Sequence, residues 1–169
     1  LLVLLSGHCV PTHQSWLHAI CAPIADGSAD YTYGRQLGGP DSFYSECRIF
    51  AKYYPEVSSV PQEGFFSNNA NSALKRSVWE RLQFDEELTG LEDMEFALRL
   101  SREGGLIGYV AEAAVWHYHH ESWPVVKRRY EREALALQHI LPHVQVRKRD
   151  LVRYVVSSIA LDWINAFRD

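Results

Sequence analysis

The sequence predicts an α/β fold: a sheet flanked by helices, with a helical extension at the C-terminal end. Three observations carry this. Apolar and aromatic runs of strand length at 1–5, 29–36, 106–110 and 113–118 are interleaved with longer stretches whose apolar residues recur at helical spacing. Residues 65–93 string together a bulky apolar step, an asparagine-rich turn and two short amphipathic segments. From Trp123 onward only helical patterns remain, so the chain is expected to divide into 1–122 and a helical extension at 123–169.

Taken in order, residues 1–5 are uniformly apolar, which predicts a central parallel strand buried on both faces. A polar tip follows, with His8 where open α/β sheets gather ligands. Residues 15–24 form a helix with Trp16, Leu17, Ile20 and Cys21 inward and Pro23 near its end. Residues 29–36 alternate around Tyr31 and Tyr33 as a strand leading to Arg35 and Gln36. Gly38, Gly39 and Pro40 break the chain before a helix at 43–54 with Phe43, Cys47, Phe50 and Tyr54 on one side. Residues 57–64 are a loop.

The next stretch organises the rest. Phe65 and Phe66 predict a strand that stops at Ser67, because Asn68, Asn69 and Asn71 favour turns and helix caps. Ala73, Leu74, Val78 and Leu82 then predict a helix of about three turns. A second helix begins at Glu92 and Asp93, with Leu91, Met94, Ala97, Leu98 and Leu100 as its apolar stripe. A helix N-terminus favours negative charge by about 0.3–1 kcal/mol, so Asp93 is expected to stay ionised near neutral pH. Such a pair of acids is either a partner of the helix dipole or a base for a hydroxyl proton. Two short strands at 106–110 and 113–118 deliver Trp116, His117, Tyr118, His119 and His120, of which His117 alone is read as functional and the other two histidines as solvent or substrate contacts. A helix at 123–140 ends before Pro142, and Asp150 caps another at 151–167, too charged to span a membrane.

The run from Asn69 through Lys75 and Arg76 to Trp79, followed by Phe84-Asp85-Glu86-Glu87-Leu88, Glu92-Asp93, Gly104, Tyr109 and Val115-Trp116-His117, resembles the acceptor half of family 2 glycosyltransferases. The likeness spans about residues 1–135. It implies a partial GT-A (Rossmann-like) sheet and an inverting sugar transfer with Asp93 as catalytic base. It implies substrate contacts from Glu92, Asn69, Asn71, Arg35 and Gln36, and diphosphate contacts from Arg128, Arg129 and Arg132. Relatives place an Asp-x-Asp at the tip of the first strand to hold a divalent cation, manganese or magnesium, whereas this chain has Ser6-Gly7-His8. The sequence Ser-Gly-His-Cys-Val-Pro with Tyr33-Gly34-Arg35-Gln36 resembles a bacterial subgroup that lacks both aspartates. His8 and His117 either share an ion or bond the diphosphate directly. Relatives carry their nucleotide-binding half ahead of this strand, so the chain is expected to be a fragment holding the acceptor side and the base.

The partners implied are a nucleotide-sugar donor and a saccharide or lipid-linked acceptor, with membrane-surface contact through the C-terminal helices and a homodimer through an exposed edge at 1–5. The net charge of −4 argues against nucleic acid, although residues 127–153 hold eight Lys and Arg against three acids, a local basic face for an anion. Three cysteines without Cys-x-x-Cys spacing signal neither a disulfide framework nor a zinc knuckle, which fits the cytoplasm or the inner face of its membrane. The competing reading is a non-catalytic saccharide-binding or assembly module. A histidine-cluster metallohydrolase fits less well, because the spacings match no common hydrolase motif.

Overall fold

The computed structural model describes residues 1–119 and 121–167, and His120 lies outside them. The chain forms two compact units, Leu1–Ala136 and Leu137–Asp169. The first is mixed α/β. Its sheet comprises β1 (Leu2–Leu5), β2 (Cys9–Pro11), β3 (Tyr31–Gly38), β4 (Asn71–Leu74) and β5 (Ile107–His117), in the spatial order β1-β4-β3-β5-β2. Only β3 and β5 run parallel, and the other pairs are antiparallel.

Helix α1 (Trp16–Ala25) covers one face of the sheet, where Trp16, Ile20 and Ile24 pack against Ala73, Val110, Ala113 and Val115. The opposite face is covered by α2 (Tyr44–Tyr53), α3 (Arg76–Leu82) and α4 (Glu92–Arg102), whose Phe50, Val78, Phe96 and Leu100 bury Tyr31, Tyr33, Leu74 and Tyr109. Each of the two apolar layers removes several large side chains from water at roughly 1.5–3 kcal/mol apiece, which is what holds the sheet between them.

Three sequence expectations change. The strand at 1–5 lies at the sheet edge and runs antiparallel, with Leu2 and Leu4 on the core and Val3 and Leu5 exposed. Its uniform apolarity therefore does not report two buried faces. Residues 71–74 form a central strand where a helix was expected from Ala73, and Phe65 and Phe66 lie in irregular backbone packed on the core. Asparagine is depleted in strands, so the pattern pointed to a turn. Here burial on both sides overrides propensity, because the Asn71 side chain finds partners inside the sheet. The two strands expected around Ala111 and Glu112 are one, β5, whose register against β3 shifts between Gly34 and Gln36.

That shift is filled by Asn71. Its Nδ2 donates to the carbonyls of Ala113 (2.7 Å) and Arg35 (3.2 Å), and its Oδ1 accepts from Trp16 Nε1 at 2.9 Å. Gly34 makes room for it, since a Cβ there would lie 2.2 Å from Ala113 O and 2.4 Å from Asn71 Nδ2. Helix α5 (Trp123–Ile140) begins in the first unit and ends in the second, which also contains α6 (Lys148–Ala166). Among the described residues no helix is long and apolar enough to cross a membrane.

Candidate functional site

The turn at 68–70 connects two sets of chemically capable groups. On one side stands Asp93, in the first turn of α4 behind Leu91, which adopts left-handed backbone (φ 57°). The Asp93 side chain is buried. Its Oδ2 accepts from the backbone N–H of Asn69 at 2.9 Å and its Oδ1 from that of Met94 at 2.8 Å, while Ser67 Oγ donates to its carbonyl. No salt bridge to it is found among the described residues.

The helix dipole was expected to keep this acid ionised near neutral pH. Burial instead dominates and pushes it up to about 6, against the pull of the Asn69 N–H and with the Glu92 charge adding to the rise. A carboxylate that gains or loses its proton near neutrality is suited to general acid–base work.

On the other side of the turn is a cluster of imidazoles. Asn68 Oδ1 accepts from the N–H of Ala70 and from Gln36 Nε2, both at 2.9 Å. Gln36 must then present Oε1 to His117 Nδ1, 2.5 Å away, so His117 donates from Nδ1. Its Nε2 keeps a lone pair and is buried without a partner among the described residues. The His117 ring lies 4.1 Å from that of His119 and 4.7 Å from that of His8, centroid to centroid.

Phe50 stacks beneath His117 and His119 at 5.5 and 6.0 Å. Burial, and then the neighbouring His119, His8 and Arg129, pull His117 down to about 3, so it is neutral at physiological pH. His8, exposed at its tip, is also lowered, first by desolvation and then by His119. His119 reaches Glu46 Oε1 at 2.5 Å from Nδ1.

The structure therefore sorts the sequence candidates. Asp93, Glu92 and Asn69 adjoin one another, with Asn69 Oδ1 accepting from Tyr31 Oη (2.8 Å) and Ser72 Oγ (3.2 Å). Asn71 and Gln36, expected at the substrate, are fully buried and committed to the sheet and to His117. Asn71 is a structural residue and Gln36 a positioning one. Arg35 pairs with Glu56 at 2.8 Å.

Of the three arginines, Arg128 and Arg132 are exposed on α5. Arg129 is electrostatically coupled to His8 and His117, but its guanidinium is held by Glu121 at 3.1 Å, with Glu133 at 4.0 Å. His119 was read only as a solvent or substrate contact, and Glu46 was not singled out at all. His119 follows His117 at strand spacing, a signal that was present in the sequence, whereas Glu46 sits in the first turn of α2 with no motif around it.

The resemblance implies a divalent cation, and the orphaned Nε2 of His117 fits one, because a buried lone pair without a donor is costly and a metal satisfies it. No family model and no curated protein matches this chain.

Proposed function

We propose that this chain supplies the acceptor side of an inverting glycosyltransferase, a GT-A-type module that moves a sugar from a nucleotide-sugar donor to a hydroxyl of a saccharide or lipid-linked acceptor. The observation that carries the reading is Asp93: a buried carboxylate without a paired cation among the described residues, fixed by two backbone N–H groups and poised near neutrality. Asp93 takes the acceptor hydroxyl proton while the oxygen attacks the anomeric carbon. The bond to the diphosphate breaks on the opposite face, and its electron pair leaves with the nucleoside diphosphate.

Glu92 and Asn69, which flank the carboxylate, are the residues we assign to orienting the acceptor, and Arg35 is assigned to its distal part. A divalent ion held by His8 and His117 would offset charge on the departing diphosphate, the main electrostatic demand of the step. Arg129 adds fixed positive charge beside those histidines, with Arg128 and Arg132 on the same helix.

Transfer from labelled nucleotide-sugars, with the product's anomeric configuration read by NMR, tests this. Asp93→Asn is expected to abolish transfer with the circular dichroism spectrum unchanged, and undiminished turnover by that variant refutes the assignment. A second reading, a saccharide-binding or assembly module, draws support from the internal commitment of Asn71 and Gln36. It predicts calorimetric binding of saccharide without turnover on any donor.

A further inference from the structure

We propose that His8, His117 and His119 form a three-imidazole site for a borderline transition metal, zinc(II) foremost, with Gln36 and Glu46 as the residues that orient two of its ligands. The inference does not require the sugar-transfer reading. Each histidine offers one ring nitrogen, and these nitrogens lie within 4.8 Å of one another.

Two of the three are set for coordination by what their far nitrogens do. Gln36 Oε1 accepts a hydrogen bond from His117 Nδ1–H, and Gln36 is itself locked by Asn68, so the buried Nε2 of His117 has a lone pair and nothing to meet it among the described residues. The carboxylate of Glu46 accepts from His119 Nδ1, which leaves His119 Nε2 as the ligand atom. That carboxylate–histidine arrangement is the usual outer support of a metal-bound imidazole.

Charge points the same way. The second oxygen of Glu46 is buried without a partner among the described residues, so the cluster carries negative charge at its rim that a cation would balance. Arg129 does not fill that role, because Glu121 and Glu133 hold it. Phe50 floors the site with an apolar ring, which strengthens electrostatic attraction by excluding water. His8, on the exposed tip between β1 and β2 with the Ser6 hydroxyl 3.2 Å from its Nδ1, is the ligand able to swing in and close the set.

The donor set determines the ion. Magnesium and calcium require oxygen ligands, and this set has none. Imidazole suits zinc, and three protein nitrogens leave a tetrahedral ion one open position for water or a ligand oxygen, the pattern of reactive rather than structural zinc.

The test is metal binding by the whole chain after chelator treatment, followed by calorimetry with zinc(II) and magnesium(II) and by visible absorption with cobalt(II). One equivalent of zinc, no magnesium heat and an intense tetrahedral cobalt band are expected. His119→Ala should weaken zinc at least 100-fold and abolish the cobalt band, and Glu46→Gln should weaken zinc by about 10–100-fold while keeping the band. His119 is only partly buried, so its variant keeps the experiment decisive if His117→Ala does not fold. Absence of zinc binding, or one-equivalent binding untouched by His119→Ala and His8→Ala, overturns the proposal. Sugar-transfer activity is not the readout, so failure here and failure of the proposed reaction are separable.

Discussion

The backbone N–H of Asn69 donates to Oδ2 of Asp93 at 2.9 Å, and that bond ties the head of α4 to the turn whose neighbouring residue, Asn68, locks Gln36 against His117. The acid and the imidazole cluster thus share one short piece of backbone. A displacement of the turn would disturb the position of Asp93 and the tautomer of His117 together, which explains why so many side chains (Tyr31, Ser72 and Gln36 among them) converge to hold it.

Asp93 makes the wild type lose stability as pH rises. Its folded pKa, about 6, lies above the ordinary 3.8, so the native state binds more protons than the unfolded chain between these values. The contribution is fully present at low pH and is lost as pH rises through 6. Asn mimics the protonated acid, so the stability difference, Asp93→Asn minus wild type, should grow by about 2–3 kcal/mol from pH 4 to pH 7. Urea unfolding of both proteins across that range measures it, and a difference that stays flat or shrinks contradicts the buried-acid picture. If transfer occurs, its rate should fall about tenfold per pH unit below 6, as the base is protonated.

Asn71 holds β3, β5 and α1 together. Replacing it with Ala leaves the Ala113 and Arg35 carbonyls and the Trp16 indole N–H without their partner, at about 1–3 kcal/mol for each buried group left unmet. The expected loss is about 3–5 kcal/mol, large enough to threaten folding. Asn71→Asp should be nearly as harmful, because it keeps an acceptor for Trp16 but removes both donations. Gly34→Ala offers an independent check, since its Cβ would clash with the same two groups and should cost about 2–3 kcal/mol. Chemical denaturation reads all three, and a loss below about 1 kcal/mol for Asn71→Ala would mean that the sheet closes without it.

These residues mark where the sequence was legible and where it was not. The helices at 16–25, 44–53, 92–102 and 123–140 could be read because their apolar residues repeat at helical spacing, and the α/β class followed from strands set between them. β4 could not be read. Asn71 and Ser72 look like turn residues until the partners that satisfy them, distant in sequence, are known. The exposed face of β1 was hidden for the opposite reason, because five apolar residues carry no alternation to reveal it. At the site, Asp93 stood out as an acid at a helix start, but its raised pKa depends on burial, which only the fold supplies. Glu46 and Gln36 acquire meaning only when folding sets them against His119 and His117.

Asp30 clamps three strand ends. Its Oδ1 meets Lys75 Nζ at 2.7 Å just after β4, and its Oδ2 accepts from the Leu106 N–H just before β5, while Asp30 itself leads into β3. Burial alone would raise this acid, but the Lys75 bond, the Leu106 N–H and the nearby cationic charges hold it below its ordinary 3.8. A carboxylate depressed in the native state contributes stability above its unfolded pKa and loses it as pH falls through the folded one. Asp30→Asn should therefore cost about 1–2 kcal/mol at pH 7, a partly exposed charge-assisted pair being worth no more. That cost should begin to fade as pH falls through the ordinary 3.8, where the unfolded acid takes its proton, and should be gone below the depressed native value, where the folded acid is protonated as well. Thermal melts at pH 7 and pH 3 make the comparison, and an equal deficit at both would assign the effect to shape rather than charge.

Helix α6 leaves an apolar stripe in solvent. Val152, Val155, Val156, Ile159 and Trp163 recur at the spacing of one helical face, and all are exposed. Arg147, Lys148, Arg149 and Arg153 gather at its N-terminal end. An apolar face with a cationic end and a tryptophan is the make-up of a helix lying in a membrane interface. The chain should cosediment with vesicles containing anionic phospholipid more strongly than with neutral ones. Rising salt should weaken the interaction by screening the basic end, while leaving the contribution of Trp163. Trp163→Glu should reduce binding at every salt concentration, because it places a charge where the helix would enter the acyl boundary. Equal binding to neutral and anionic vesicles, or binding indifferent to Trp163→Glu, would assign the stripe to a protein surface instead.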